Sequence, residues 1–228
     1  MTPLSGLEDQ SRWLPEPEAL QLLSKYGLSV IPHRLATTAV EASRTAGTLG
    51  YPVAMKVVAP DLVHKSDIGG VCLNITTAEE AGDAFTTLRS RLASHVPALA
   101  FDGMLVARMA APGTEVIVGM VRDHQFGAAV MVGLGGVFVE LYKDVAFRLP
   151  PLGLAEARSM FAELKAAPLL TGYRGQPPRD LDALATCACT VAQIAAELPD
   201  IQEIDLNPII AYEQGYTIVD AKIRTRVR

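Results

Sequence analysis

The chain has 228 residues, half of them hydrophobic, and a formal net charge of −5. This length and apolar content allow one large domain or two small lobes with proper cores. The acidic balance, without a block of like charges, argues against nucleic acid as the main partner. No apolar run is long enough to span a bilayer and no signal-peptide pattern is visible, so we expect a cytoplasmic protein without a membrane segment.

The first hundred residues alternate between helix and strand signals. Residues 16–27 (EPEALQLLSKYG) carry leucines at helical spacing, and residues 37–50 (TTAVEASRTAGTLG) run from a threonine cap to a terminal glycine. Residues 51–58 (YPVAMKVV) have the character of a short strand, and residues 76–96 begin with a Thr-x-x-Glu capping box. The predicted order is helix, strand, helix, strand, loop, strand, helix.

The sequence changes character near residue 104. Runs rich in β-branched residues, separated by Gly, Pro or Asp, are followed by helical patterns at residues 154–165 and 180–198 and by a final hairpin. Cys187 and Cys189 fall on the second helical pattern and are interpreted as small core residues. We predict an α/β (α+β) fold with an N-terminal extension at 1–13, a first lobe at 14–103 and a second lobe at 104–228.

The loop DLVHKSDIGG, residues 61–70, ends in two glycines. Because Gly69 and Gly70 have no Cβ, their backbone N–H groups can approach an anion closely. Phosphate is the natural candidate for that anion. The loop lacks the G-x-x-x-x-G-K-[ST] pattern and is followed by the strand-like VCLNI, so we predict a flap over phosphates between two strands rather than a P-loop.

Lys56 lies in the middle of the apolar run PVAMKVV. Burying an ammonium group is expensive unless it meets an anion, and from such a strand Lys56 could reach a nucleotide phosphate beneath the flap. The alternative is a lysine on the solvent face of an edge strand.

Residues 203–223 (EIDLNPIIAYEQGYTIVDAKI) predict two strands around a tight turn. The shortest pairing places Asn207 opposite Asp220, and Asp205 opposite Lys222, on one face. Opposed side chains have Cβ atoms about 5 Å apart, so these oxygens could converge on Mg2+, which prefers a few hard oxygen ligands. The alternative is a surface hairpin with ordinary polar pairs. The residues expected on the opposite, core-facing side are Ile204, Leu206, Val219, Ala221 and Ile223.

These motifs resemble a known family, the ATP-grasp subunit or domain of NDP-forming acyl-CoA synthetases of the ADP-forming acetyl-CoA synthetase type. The resemblance covers nearly the whole chain from about residue 14. The stretches that carry it are residues 50–75 (GYPVAMKVVAPDLVHKSDIGGVCLNI), 113–152 (GTEVIVGMVRDHQFGAAVMVGLGGVFVELYKDVAFRLPPL) and 203–223.

The resemblance implies an ATP-grasp fold in which two lobes enclose ATP, with adenine held by backbone groups at the hinge between the lobes. The residues that it assigns to ATP are Lys56, Lys65, Ser66, Gly69, Gly70, Arg108, Met109, Ala110 and Glu115. Asn207 and Asp220 match the Mg2+ positions, with Asp205 close by. The implied cofactors are therefore ATP or ADP and Mg2+.

The resemblance also assigns a role to His64, which in this family is implicated as a phosphoryl carrier. A neutral imidazole is nucleophilic at pH 7, and its phosphoramidate passes the phosphoryl group on readily. In the family scheme a CoA-binding alpha-type subunit with its own phosphohistidine supplies the group, and His64 delivers it to ADP. No G-x-G-x-x-G loop occurs in this chain, so we expect a hetero-oligomer in which another subunit binds CoA.

The predicted function is that of the nucleotide-binding subunit of an ADP-forming acyl-CoA synthetase, an acid–thiol ligase. The reaction reversibly converts acyl-CoA, ADP and phosphate to carboxylic acid, CoA and ATP through phosphohistidine intermediates. Two alternatives remain: a non-catalytic ATP-binding regulatory domain associated with an acetyltransferase, and a carboxylate–amine ligase of the ATP-grasp fold.

Overall fold

The computed structural model describes residues 11–59, 62, 65–96, 99–136 and 143–227, with Ser66 as backbone alone. The strands are β1 Ser11–Trp13, β2 His33–Ala36, β3 Val53–Val58, β4 Val71–Ile75, β5 Gly103–Arg108, β6 Thr114–Asp123, β7 Gly127–Leu134, β8 Val145–Arg148, β9 Ile201–Ala211, β10 Tyr216–Ile218 and β11 Ala221–Arg226. The helices are α1 Glu16–Lys25, α2 Ala39–Leu49, α3 Ala78–His95, α4 Leu154–Ala162, α5 Pro168–Thr171 and α6 Leu181–Glu197, with a 3-10 turn at Lys65–Ile68.

In the part of the chain that the structure describes, the smaller sheet has four antiparallel strands in the order β2-β5-β3-β4. Strand β3 is buried along its whole length. Val53, Met55 and Val57 share a core with the apolar faces of α2 and α3. Because side chains alternate along a strand, Lys56 shares the opposite face with Val58, which belongs to the core of the larger sheet. The lysine is thus directed towards the other half of the molecule.

Among the described residues the larger sheet has seven strands, with β1-β11-β9-β6-β7-β8 in order and β10 paired to β9. Helices α1, α4 and α6 bury apolar residues against it, among them Leu20, Leu23, Met160, Phe161, Leu184 and Val191. Strand β1, which the sequence did not predict, pairs Ser11 with Arg226 at the edge. Helix α1 packs in this core although it precedes residue 103, and the predicted lobe boundary stays a prediction.

Helix α3 begins at the predicted capping box. The Thr77 hydroxyl accepts a hydrogen bond from the Glu80 amide at 3.1 Å. The Glu80 carboxylate reaches back one residue further than the usual box, because it accepts from the amide of Thr76 at 2.6 Å. One amide of the first turn and one amide just before the cap are therefore satisfied. The same pattern starts α2, where the Thr38 hydroxyl accepts from the Glu41 amide and the Glu41 carboxylate accepts from the Thr37 amide. Within the described part of the chain, no helix is long and apolar enough to cross a membrane.

The register of the final hairpin is the predicted one. Tyr216 pairs with Ala211 and Lys222 pairs with Asp205. Between these two pairings the backbone amide of Asn207 donates to the Asp220 carbonyl at 3.2 Å. Strands β10 and β11 are therefore two segments of one arm, interrupted beside Asp220.

The predicted core-facing side of this hairpin is correct except at Val219. Ile204, Leu206, Ala221 and Ile223 are buried, whereas Val219 is half-buried. The pairing of β9 with β6 shifts between Val116 and Val118, so the strict two-residue alternation is broken at this level. Ile218 takes the buried place on this arm. The prediction for Val219 was wrong because the alternation of residue types within the hairpin does not show a shift in the pairing of β9 with β6.

Candidate active site

Lys56 lies in the interior of the smaller sheet. Its strand is flanked by β4 and β5, and the residue is only 6% exposed. The alternative of a lysine on the solvent face of an edge strand is therefore wrong. Its Nζ donates to Glu16 Oε1 at 2.7 Å, to Asp220 Oδ2 at 3.1 Å and to the Val219 carbonyl at 3.2 Å. All three ammonium hydrogens thus have acceptors.

Glu16 brings a second lysine into the same cluster. It is the first residue of α1, and its side chain is 2% exposed. One carboxylate oxygen accepts from Lys56 and the other forms an ion pair with Lys65 at the start of the 3-10 turn. We refer to Glu16, Lys56, Lys65 and Asp220 as the lysine cluster; it joins helix α1, both sheets and the glycine loop.

The lysine cluster is balanced in charge, with two cations and two carboxylates. Burial alone lowers the pKa of Lys56, but the charges and hydrogen bonds of Glu16 and Asp220 outweigh it, and the pKa lies above its usual value. Lys56 is therefore charged at neutral pH. Such an ammonium group is suited to exchange one carboxylate for a phosphate oxygen.

The glycine loop forms a compact turn after Lys65. The Gly70 amide donates to the Lys65 carbonyl at 2.8 Å, and a Cβ on Gly70 would lie 2.8 Å from that oxygen. Gly69 has a φ of 62°, in the region that favours glycine, and its carbonyl accepts from Arg91 at 2.9 Å. The glycines are thus required by the turn itself. The Gly70 amide is engaged inside the turn, and its predicted phosphate contact stays a prediction.

Two predicted residues cannot be placed. His64 lies outside the described residues, and so does the side chain of Ser66. Their predicted roles as phosphoryl carrier and phosphate ligand stay predictions.

Asp205, Asn207 and Asp220 lie at neighbouring positions on the final hairpin. Burial raises the pKa of the Asp205 carboxyl, and the negative charges of Asp220 and Glu203 add to the increase, while Lys222 opposes it. A cation bound beside Asp205 would relieve this penalty. The Asn207 side chain is exposed and offers an amide oxygen.

This donor set fits Mg2+ bound together with a nucleotide. In the described part of the chain, no group of three or more His, Cys, Asp or Glu side chains is placed to hold a metal. Two carboxylates and an amide are hard oxygen donors, and Mg2+ commonly completes its shell with phosphate oxygens and water.

The predicted adenine segment lies where the chain passes from one sheet to the other. Arg108 ends β5, and the chain enters β6 at Thr114. The Met109 amide donates to the Pro52 carbonyl at 2.9 Å, which ties this connection to the start of β3. Glu115 is exposed on β6, where its carbonyl accepts from the Gly135 amide at 2.8 Å. These residues do not contact the lysine cluster through any hydrogen bond among the described residues.

Glu16 was missed by the sequence analysis. An acidic residue in the first turn of a helix is common because it complements the helix dipole. Glu18, on the same turn, has the same sequence signal and is exposed. The two glutamates could not be distinguished before the fold showed which one faces the lysines.

The family described as an ATP-grasp domain matches residues 5–225. The chain belongs to the ATP-grasp family. The resemblance and fold predicted from the sequence are therefore confirmed.

The ATP-grasp chain has close relatives among ADP-forming ligases. Acetate–CoA ligase (ADP-forming) I subunit beta of Pyrococcus furiosus is 47% identical over 214 residues, which cover 94% of this chain and 92% of that subunit. Acetate–CoA ligase (ADP-forming) I of Archaeoglobus fulgidus is 43% identical over 206 residues, covering 90% of this chain and 30% of that longer protein. The predicted relation to the nucleotide-binding part of acid–thiol ligases is confirmed.

Solved structures of an acetyl-coenzyme A synthetase have a similar fold. Candidatus Korarchaeum cryptofilum dinucleotide forming acetyl-coenzyme A synthetase 1, in complex with coenzyme A, Ca-AMPCP and HgCl+, superposes with a TM-score of 0.91 at 45% identity, over 94% of both chains. A complex of that enzyme with coenzyme A and Mg-AMPPCP, in which a phosphohistidine segment points towards the nucleotide binding site, gives a TM-score of 0.83 at 43% identity, over 94% of this chain and 93% of that one.

Within this ATP-grasp fold, three of the predicted site residues are linked to one another by ion pairs. Lys56, Lys65 and Asp220 meet through Glu16 and through a direct ion pair. Asp205 is close enough to Asp220 for the negative charge of Asp220 to raise the pKa of the Asp205 carboxyl. The hinge residues and Glu115 occupy a second location along the connection between the sheets.

Proposed function

We propose that this ATP-grasp chain is the nucleotide-binding subunit of an ADP-forming acyl-CoA synthetase. With its partner it interconverts acyl-CoA, ADP and phosphate with carboxylic acid, CoA and ATP. The observation that carries the proposal is the ion pair between Lys56 on the smaller sheet and Asp220 between two strands of the larger sheet, with Nζ and Oδ2 3.1 Å apart. The proposed phosphate-binding cation and the proposed metal-binding carboxylate therefore lie side by side, which supports a Mg-nucleotide site at this position.

The nucleotide phosphates would be bound by Lys56 and Lys65. Both ammonium groups are already paired with carboxylates. A phosphate oxygen would take the place of a carboxylate oxygen, so that no buried cation is left unpaired. The backbone at Arg108–Ala110 is proposed to hold adenine, with Glu115 on the nucleotide side of the second lobe. The glycine loop, with Ser66, Gly69 and Gly70, is proposed to cover the phosphates.

Asp205, Asn207 and Asp220 would hold Mg2+. When bound, the ion would neutralise charge on the phosphates and orient them for in-line transfer. The carboxylate of Asp220 would leave Lys56 for the metal, and this frees one ammonium hydrogen for a phosphate oxygen.

His64 is proposed to carry the phosphoryl group between the partner and ADP. A ring nitrogen attacks phosphorus of the partner's phosphohistidine; the new N–P bond forms as the old one breaks. A β-phosphate oxygen of ADP then attacks the group on His64, which forms ATP and returns the neutral imidazole. The partner is proposed to be a CoA-binding alpha-type subunit, in a cytoplasmic hetero-oligomer. The longer Archaeoglobus fulgidus relative, of which this chain covers 30%, supports a further CoA-binding part.

The test is phosphoryl transfer by the chain together with its CoA-binding partner. Labelled ATP and Mg2+ should place acid-labile phosphate on the peptide containing His64 and, by onward transfer, on the phosphohistidine of the partner. His64→Ala should abolish both the label and turnover. His124→Ala serves as the matched control because its side chain lies 83% exposed in a turn.

Three results would contradict parts of this proposal. Full turnover by His64→Ala would refute the carrier role. Nucleotide binding without a labelled histidine or turnover would instead favour the regulatory ATP-binding domain. Amide formation from an acid and an amine by the chain alone would favour the carboxylate–amine ligase.

A further inference from the structure

Glu16 is the most deeply buried charge of the lysine cluster. Its side chain is 2% exposed, compared with 28% for Asp220. Glutamate is almost never so buried unless it is paired, and each of its carboxylate oxygens holds a different lysine. Lys56 comes from the centre of the smaller sheet and Lys65 from the glycine loop. Glu16 is thus the group that sets where these two ammonium groups lie relative to each other.

Helix stability does not explain this burial. Glu18 offers the same favourable charge to the start of α1 while remaining exposed. Buried ion pairs are also poor stabilisers, because removing two charges from water offsets much of their attraction. Glu16 is buried despite this penalty and contacts both lysines that are proposed to bind phosphate, which points to a role in the site.

The lengths of the Lys56 contacts indicate which partner is exchangeable. The bond to Glu16 is 2.7 Å, whereas those to Asp220 and the Val219 carbonyl are 3.1 and 3.2 Å. Asp220 is also the more exposed carboxylate and has another use, as a proposed metal ligand. Asp220 is therefore the partner of Lys56 that a phosphate oxygen would displace first, while Glu16 would stay.

We propose that Glu16 is a positioning residue for nucleotide binding, a fixed anchor that holds Lys56 and Lys65 together while Asp220 is exchanged for phosphate. This inference rests on the proposed function. Glu16 acts through the lysines and does not itself touch the nucleotide. The carboxylate adds negative charge near the phosphates, which opposes binding, and we infer that the gain in lysine placement exceeds this repulsion.

The test compares Glu16→Gln and Glu16→Asp with Glu18→Gln as the matched surface control. Glutamine keeps the shape but cannot pair with two ammonium groups; aspartate keeps the charge but is one methylene shorter. Binding of ADP to the chain is measured by calorimetry with and without Mg2+. Michaelis constants are measured in the assembled enzyme.

Glu16→Gln should weaken ADP binding by about 10- to 100-fold, both with and without Mg2+. Its KM for ADP should rise similarly, while the KM for acyl-CoA stays unchanged because that substrate binds to the partner. Glu16→Asp should fall between wild type and Glu16→Gln. Glu18→Gln should match wild type. A purely structural role would lower thermal stability without this selective rise in the KM for ADP.

Unchanged or tighter ADP binding by Glu16→Gln would overturn the positioning role, since repulsion would then be the larger effect. Wild-type affinity in Glu16→Asp would also overturn it, because charge alone would suffice. Failure of the wild-type chain to bind ADP would instead refute the proposed function. The two failures are therefore distinguishable.

Discussion

Replacing Lys56 by methionine removes one of the two ammonium groups of the lysine cluster and keeps an apolar side chain that is one atom shorter. The group lost makes three hydrogen bonds, two of them to carboxylates, at 2.7, 3.1 and 3.2 Å. The variant leaves Glu16 with Lys65 as its one remaining partner in the cluster. Both the stability of the fold and the affinity for nucleotide should therefore fall.

The expected loss of stability is about 3 kcal/mol. Removing one member of a buried ion pair costs roughly 3–5 kcal/mol because the other charge is left without compensation. The lower end applies, since Glu16 keeps Lys65 and the Asp220 side chain is 28% exposed and partly screened by water. For a chain of this size the midpoint of thermal unfolding should drop by about 6–12 °C.

The loss should persist at neutral and mildly alkaline pH. Burial lowers the pKa of Lys56, but Glu16 and Asp220 outweigh it and raise the pKa above its ordinary value. The contribution of the ammonium group is therefore complete below the ordinary lysine pKa. It is lost only as the pH rises through the higher pKa of the folded state.

The assay is thermal unfolding at pH 7 and pH 9, followed by calorimetric titration with ADP. Lys25→Met is the control because Lys25 is exposed at the end of α1. The double variant Lys56→Met/Glu16→Gln should lose less stability than the two single variants lose in sum. The reason is that neither member of the Lys56–Glu16 ion pair is then left buried without the other. If Lys56→Met unfolds within 1 °C of wild type and binds ADP equally well, this account of the lysine cluster is wrong.

Three further predictions concern other parts of the fold. Asp180→Ala should lower the free energy of unfolding by about 1–2 kcal/mol, since its carboxylate accepts from two backbone amides and caps α6. These bonds hold the pKa of Asp180 below its usual value, so urea titrations should show the difference shrinking as the pH falls through that lowered pKa. Burial raises the pKa of the Cys187 thiol to about 12, so mass spectrometry should find iodoacetamide labelling of Cys187 at pH 8 only after unfolding. Gly70→Ala should destabilise the turn by about 1–3 kcal/mol and weaken ADP binding, as its Cβ would meet the Lys65 carbonyl at 2.8 Å. Gly47 lies in a helix, where an added Cβ makes only ordinary contacts, so Gly47→Ala should cause neither the destabilisation nor the weaker ADP binding. Equal behaviour of the two glycine variants would contradict the steric argument.

Much of the fold follows from local patterns. The Thr77 cap and the period-two alternation of the last hairpin are short-range signals, and a tight turn fixes the register of the strands that it joins. For the same reason the pairing of Asp205 with Lys222 could be predicted before the rest of the sheet was known. Family resemblance then supplied the site residues that no spacing could identify.

The parts that could not be predicted depend on distant segments. The short strand Ser11–Trp13 has no pattern of its own and is defined by pairing with residues 224–226. Glu16 and Lys56 are 40 positions apart and meet only because α1, which packs in the core of the larger sheet, begins beside β3 of the smaller sheet. Val219 was misassigned because a shift in the pairing of β6 with β9 changes the alternation nearby.

Strand β1 has a further consequence for how the chain can be joined to other proteins. Ser11 is paired with Arg226, so chain segments entering at one end and leaving at the other are neighbours at a single sheet margin. A domain fused before residue 11 and a domain fused after residue 227 would start from almost the same place. Gene fusion on either side of this strand pair would thus attach a tethered module to the same flank of the molecule.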